Sequence, residues 1–245
     1  MRKTIRLVGL SLMAVVCIGL LACSSSDDTE EGGIDTTPIT LLAGKDKIIQ
    51  GADTISSSNE FVAYGKKNTL YGWHVGETTI NVNGKKTISV TVMPKNNLYD
   101  DPICEWGCSM DYVKSHQKQG TLNSKSTDKI LAYNDAGGAT LLAYSFNNGK
   151  LESVGAMVST NHTSTLGEHL VERYLLLPLY KGKDTYFAGI DGLDENHAKT
   201  MVLMDLYDIN TWSVFYAPFK KNTTRSILDN EEEKLMDLLY PFLKD

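Results

Sequence analysis

Thr78-Thr79-Ile80-Asn81-Val82-Asn83-Gly84-Lys85-Lys86-Thr87-Ile88-Ser89-Val90-Thr91-Val92 is the stretch that decides the fold. Its large apolar residues are Ile80, Val82, Ile88, Val90 and Val92, with Thr, Asn, Ser or Lys between them. A period of two places those residues on one face of an extended chain and the polar ones on the other. Asn83-Gly84 sits between the two alternating runs, and a two-residue hairpin turn needs positive φ at both of its central positions. The stretch therefore reads as an antiparallel hairpin, buried on one side.

Working upstream, β-prone runs fall at 39–42, 46–50, 61–64 and 69–73, separated by Gly44, Gly51, Gly65 and Gly76. Many short strands at close spacing predict a small two-sheet sandwich over residues 38–95. Trp73 and His74 lie on one of these strands and are expected in its core. The residues Ser57-Ser58-Asn59-Glu60-Phe61-Val62-Ala63, Val75-Gly76-Glu77-Thr78-Thr79-Ile80 and Ile88-Ser89-Val90-Thr91-Val92 resemble the group 2 bacterial immunoglobulin-like domains. That resemblance implies an all-β Ig-like sandwich, in surface proteins more often a spacer than a working part. This chain lacks the tryptophan that family carries early in its middle strand.

Downstream, Tyr99-Asp100-Asp101-Pro102 is a turn cluster and opens a second segment, 99–245. Ser109 reads as an N-cap with Asp111 in the first turn, predicting a helix over 110–118. Strand-like runs follow at 129–133, 140–146 and 151–158. The order then repeats. A capping box, Thr165-x-x-Glu168, leads a helix expected over 166–176, and strands follow at 185–190, 200–207 and 211–217. A second box, Asp229-x-x-Glu232, leads a last helix expected to end near Pro241. The segment is an α+β arrangement: a helix and an antiparallel meander, the unit repeated twice, then a terminal helix. Trp106-Gly107-Cys108-Ser109 with Val113 resembles the helix start of outer-envelope lipoproteins with a β-lactamase-inhibitor-like fold (the SmpA/OmlA type). That resemblance implies protein binding on an open sheet face, with Val113 packed on the sheet. The fold class expected is thus multi-domain, an all-β Ig-like sandwich followed by an α+β domain.

The N-terminus carries an address. Arg2, Lys3 and Arg6 precede an apolar run over 7–21 of about fifteen residues, suited to a secretory leader and short of the roughly twenty that span a bilayer. It ends in Leu20-Leu21-Ala22-Cys23, which resembles the lipobox of bacterial lipoproteins. The resemblance implies cleavage after residue 22 and acyl chains on Cys23, each buried CH₂ contributing about 0.8 kcal/mol of membrane affinity. Residues 23–37 are small and acidic and read as a flexible tether. Ser26-Asp27-Asp28 resembles the acidic export signal of lipoproteins carried to the outer face of the outer membrane. The expected location is the outer membrane, lipid-anchored and surface-exposed.

The net charge is −6, and the leader holds three cations and no acid, so the mature chain stands near −9. An acidic chain is a poor fit to nucleic acid, and its membrane attachment rests on the acyl chains. With Cys17 in the leader and Cys23 lipidated, Cys104 and Cys108 remain, in an oxidising compartment. A small-loop disulfide is the favoured expectation, two free buried thiols the alternative. A metal site lacks ligands, the nearest histidine being His116.

No Gly-x-Ser-x-Gly elbow, metal-spaced histidine pair or phosphate cradle is present. His162 and His169 read as surface residues, and Asp191, Asp194 and Glu195 as a polar turn rather than a calcium loop. No catalytic residue, metal or cofactor is assigned. Tyr133, Tyr144, Tyr186, Tyr207, Trp212 and Tyr216 lie on the expected strands and are the candidate binding aromatics, should they share an outward face. These readings combine into a lipid-anchored, non-enzymatic envelope binding or adhesion protein, with a spacer presenting a protein- or glycan-binding domain. The alternatives are a hydrolase acting on envelope or dietary polymers, and a structural component of outer-membrane assembly.

Overall fold

The computed structural model describes residues 33–177, 185–220 and 225–243. The lipobox, Cys23 and most of the tether lie outside the described residues. The chain is mostly β-sheet, in several sheets, with a C-terminal helix.

Seven strands fill the first segment: β1 (Ile39–Leu42), β2 (Asp46–Ile48), β3 (Ile55–Ser57), β4 (Ala63–Lys66), β5 (Thr69–Gly72), β6 (Gly76–Val82) and β7 (Lys86–Met93). Asn83 and Gly84 take φ of 53° and 69°, as the tight turn between β6 and β7 requires. Asn83 does more than turn the chain. Its Oδ1 accepts from the Asp53 and Thr54 amides, and its Nδ2 donates to the Gly51 carbonyl, pinning the loop before β3. Two sheets result, ordered β1-β7-β6-β3 and β2-β5-β4, with β1 parallel to β7. Their shared core holds Ile80, Val82, Ile88, Val90 and Val92 together with Leu70 and Ala63.

The second segment forms one eight-stranded antiparallel sheet. Its elements are α1 (Met110–His116), β8 (Thr121–Leu122), β9 (Ile130–Ala136), β10 (Ala139–Asn147) and β11 (Lys150–Ser159), then α2 (Thr163–Val171), β12 (Leu175–Leu176), β13 (Thr185–Ile190), β14 (Thr200–Asp208) and β15 (Thr211–Pro218). The strand order is β12-β13-β14-β15-β11-β10-β9-β8. The expected unit of helix plus three strands thus gains a two-residue strand in each copy. Reading outward from the central β11–β15 pair, the two copies succeed each other in the same order. The antiparallel centre relates them by an approximate twofold axis through the sheet.

Both faces of this sheet are buried. Val113 of α1 and Leu166 and Leu170 of α2 pack on one face with Tyr144, Val154, Val202 and Tyr216. Leu235 and Leu239 of α3 (Arg225–Leu243) pack on the other with Leu141, Met157, Leu203 and Phe215. Gly155 lets α3 come close, because a Cβ there would stand 2.8 Å from Leu235 Cδ2.

Three helix boundaries differ from the sequence reading. α1 keeps its cap, Ser109 Oγ accepting from the Tyr112 amide, but stops at His116. α2 ignores the Thr165 box. A 3₁₀ turn over Thr160–His162 starts the coil earlier, with Ser159 Oγ accepting from the Asn161 amide, so Thr165 falls inside the helix. The helix ends at Val171 because Glu172 and Arg173 turn toward the linker and Leu175–Leu176 pair with β13. α3 starts before Asp229 and runs through Pro241 to Leu243.

Candidate functional site

Four of the six candidate aromatics are interior. Tyr133, Tyr144, Trp212 and Tyr216 are buried under α1 and α2. Tyr99, Gln117 and Thr163 supply partners for the polar ends of three of these side chains, as buried Tyr and Trp need. Tyr216 shares a 2.6 Å hydroxyl–hydroxyl bond with Tyr99, Tyr144 donates to Gln117 Oε1 at 2.6 Å, and Trp212 Nε1 donates to Thr163 Oγ1 at 2.8 Å. Tyr133 lies edge-on to Tyr144, 6.1 Å away. Burial raises the pKa of all three tyrosine hydroxyls above the ordinary value.

Tyr186 and Tyr207 are exposed, at 60% and 42%. They stand at one corner of the sheet with Leu206 and with Ile209, which is 85% exposed. Tyr186 meets Trp212 edge-on at 4.8 Å, and Leu206 is the register partner of Trp212. The turn carrying Ile209 is tied to the start of the α2 region, since the Thr160 amide donates to the Asn210 carbonyl and Thr160 Oγ1 to that of Ile209. The apolar corner is therefore held by strands and a turn rather than hung on a free loop.

A second surface lies where the two segments meet. Residues 57–61, after β3, face residues 191–193, 197 and 199, from the β13–β14 connection, across a cleft of about 420 Å³. Ser58 Oγ sits within 3.1 Å of both Thr78 Oγ1 and Thr79 Oγ1, which fixes the floor on the sandwich side. On the opposite wall Asp191 Oδ1 accepts from the Lys199 and Thr200 amides. Asp194 Oδ1 accepts from the Asn196 amide and pairs with His197 Nδ1 at 2.8 Å. The His197 contact is the main reason the Asp194 carboxyl lies below its ordinary pKa. These bonds make 191–199 a polar turn, as its sequence suggests. Among the described residues no group of three or more His, Cys, Asp or Glu is placed to hold a metal.

An aromatic file ends beside this cleft, at the buried Phe61. Tyr71 stacks on Tyr64 at 5.2 Å, Tyr64 meets Trp73 edge-on at 6.0 Å, and Trp73 lies 6.5 Å from Phe61, which lines the cleft. Trp73 is 39% exposed, not in the core. His74 is the buried one: stacked on Phe61 at 4.1 Å, it bonds the Phe61 carbonyl through Nδ1, and burial lowers its pKa. The sequence reading missed Tyr64 and Tyr71. The available signal was their equal distance from the 67–68 turn, which makes them cross-strand partners on β4 and β5.

A wider cleft of about 630 Å³ lies between α3 and the β10–β11 turn. Asp128, Glu152 and Asp237 alternate there with Lys129 and Lys234, a mixed and solvated wall.

The two segments are joined by buried charge. Glu172 Oε2 accepts from the Lys95 and Asn96 amides, and its carbonyl accepts from the Val75 amide. Arg173 pairs with Asp101, donates to Asn97 Oδ1 at 2.8 Å, and reaches the His169 carbonyl. His169, expected at the surface, is fully buried, 4.5 Å from Tyr99, and neither ring nitrogen has a hydrogen-bond partner. Burial and the neighbouring Arg173 charge lower its pKa to about 3, and the Asn96 carbonyl opposes this weakly from outside hydrogen-bond geometry.

Cys104 and Cys108 stand as free thiols, rather than the favoured disulfide. Both pack against the core beneath α1, and the turn between them is closed by the Cys108 amide donating to the Glu105 carbonyl. Burial pushes the Cys104 thiol well above its ordinary pKa, and Asp191, Asp101 and Glu105 add to this. By exposed area Cys104 is half-buried.

No protein-family model, no curated protein and no solved structure matches this chain.

Proposed function

We propose that this chain is a lipid-anchored, non-enzymatic protein of the outer membrane, facing the cell exterior, which engages a partner protein through the apolar corner of its large sheet. The carrying observation is that corner. Tyr186 on β13, Leu206 and Tyr207 on β14 and Ile209 in the turn after it each expose a large apolar side chain, and that turn is tied to Thr160 just before α2. Exposed aromatic and aliphatic groups on a rigid support are the composition of an interface centre. The anchor rests on the lipobox residues ending at Cys23 and on the acidic Ser26-Asp27-Asp28 behind them. No described helix is long and apolar enough to cross a membrane. On this reading residues 38–95 are an Ig-like sandwich and residues 99–245 an α+β domain, whose second sheet face is closed by α3.

Affinity capture from detergent-solubilised envelopes tests the reading. Wild-type chain is expected to retain a defined protein that Ile209→Lys with Tyr186→Ser loses, with circular dichroism unchanged. Identical capture by both, or nothing above a bead control, would reject the corner as an interface. Cys23→Ala is expected to move the protein from the membrane to the soluble fraction; unchanged fractionation would reject the anchor.

A further inference from the structure

We propose that the cleft between the two segments, with the aromatic file that ends beside it, is a binding site for a neutral glycan, separate from the apolar corner. Two kinds of surface meet there. Tyr71, Tyr64 and Trp73 offer a continuous run of aromatic carbon, spaced 5.2 and 6.0 Å between rings. Beyond it the cleft offers hydrogen-bonding groups of both signs: the Glu60 carboxylate, the His197 imidazole and the Lys199 ammonium. A ligand that satisfies both must carry apolar C–H patches and many hydroxyls on one flexible chain. Sugars do so, laying ring C–H faces on aromatic carbon and turning hydroxyls to polar side chains.

Charge narrows the choice further. The walls carry both signs, Glu60 and Asp191 against Lys199, so neither a polyanion nor a polycation gains from them. Neutral hydroxyls pair equally well with either sign. An extended peptide would instead seek a free strand edge, whereas the file runs across β5 and β4 on their outer face. Position fits as well, since small-molecule sites favour the junctions between compact segments, with a few polar groups set in apolar surroundings.

Affinity electrophoresis of the full-length chain, held in a non-glycosidic detergent, tests this. The probes are gels containing soluble starch, xylan, xyloglucan or mannan, followed by titration with the hexasaccharide of any that retards the protein. Retardation by at least one is expected, with a change in tryptophan fluorescence on titration. Trp73→Ala and Tyr64→Ala are each expected to weaken binding about tenfold, the scale of one lost aromatic contact, and Glu60→Gln to weaken it less. Ile209→Lys is expected to leave it unchanged, which keeps this result independent of the corner. Should Trp73→Ala fail to fold, Trp73→Phe, with a smaller ring, is expected to show the same loss in lesser degree. No retardation by any of the four, or retardation indifferent to every Trp73 variant, would overturn the proposal. So would capture of a protein that Trp73→Ala abolishes in the absence of sugar binding.

Discussion

His169 shows how a single side chain sets the response of the fold to acid. It is fully buried, its ring nitrogens are unpartnered, and its pKa is lowered to about 3. In the unfolded chain it takes a proton near pH 6.5, in the folded chain only far below that. Stability from this group is therefore complete above about pH 6.5 and is lost as pH falls toward 3, at roughly 1.4 kcal/mol per pH unit. His74, shifted the same way by burial, adds to the loss. Urea midpoints measured across this range should fall steeply for wild type and more gently for His169→Phe. Equal slopes would mean that His169 is not buried neutral. The phenyl ring should cost little at neutral pH, because it leaves no polar atom unpaired against Tyr99. The sequence gives no hint of this burial: His169 follows Glu168 on a helix otherwise readable from Leu166 and Leu170. Its cause is tertiary, since the linker folds back over that helix face.

At the scale of the element, α3 is decided by few contacts. Leu239 is completely buried against the sheet, and Leu235 nearly so. Leu239→Ala should destabilise the protein by about 2–5 kcal/mol and should speed amide exchange in α3 and in the strands beneath it. Exchange unchanged in β10 and β11 would show that the helix is not what closes that face. The hairpin through Asn83-Gly84 was legible because local turn chemistry and period-two burial agree there. The α2 boundaries were not. Glu168 is used at the junction, where its Oε2 accepts from Asn96 Nδ2 at 2.6 Å, so the apparent capping box with Thr165 is never formed. Strands β3, β8 and β12 hold two or three residues each, too few to show a period. The outward face of β9 to β15 could not be read for a different reason. With α1 and α2 on one side and α3 on the other, most strand positions are apolar on both faces, and alternation vanishes.

For the whole molecule the junction matters most. From Ile34 onward the described residues form one compact unit, although the composition breaks near residue 96. Removing the Glu172 carboxylate leaves the Lys95 and Asn96 amides without their acceptor, at a cost of about 2–3 kcal/mol. Calorimetry should find one cooperative transition for wild type and two for Glu172→Ala, the sandwich separating from the large sheet. Two transitions in wild type would show that the junction does not couple them. The candidate glycan cleft was illegible in the sequence for the same reason: its walls lie on either side of that break, about 130 residues apart. Each wall alone reads as an ordinary polar loop.

The junction also imposes an order in time. Lys95 and Asn96 leave the ribosome 77 and 76 residues before the carboxylate that will hold them. At about 5–20 residues per second, that is a wait of roughly 4–15 s. The sandwich segment must therefore fold without its junction partner, or be kept unfolded for export by its proposed secretory leader, until the rest of the chain follows. Its tight Asn83-Gly84 hairpin, which closes within a few residues, is suited to that early and solitary folding.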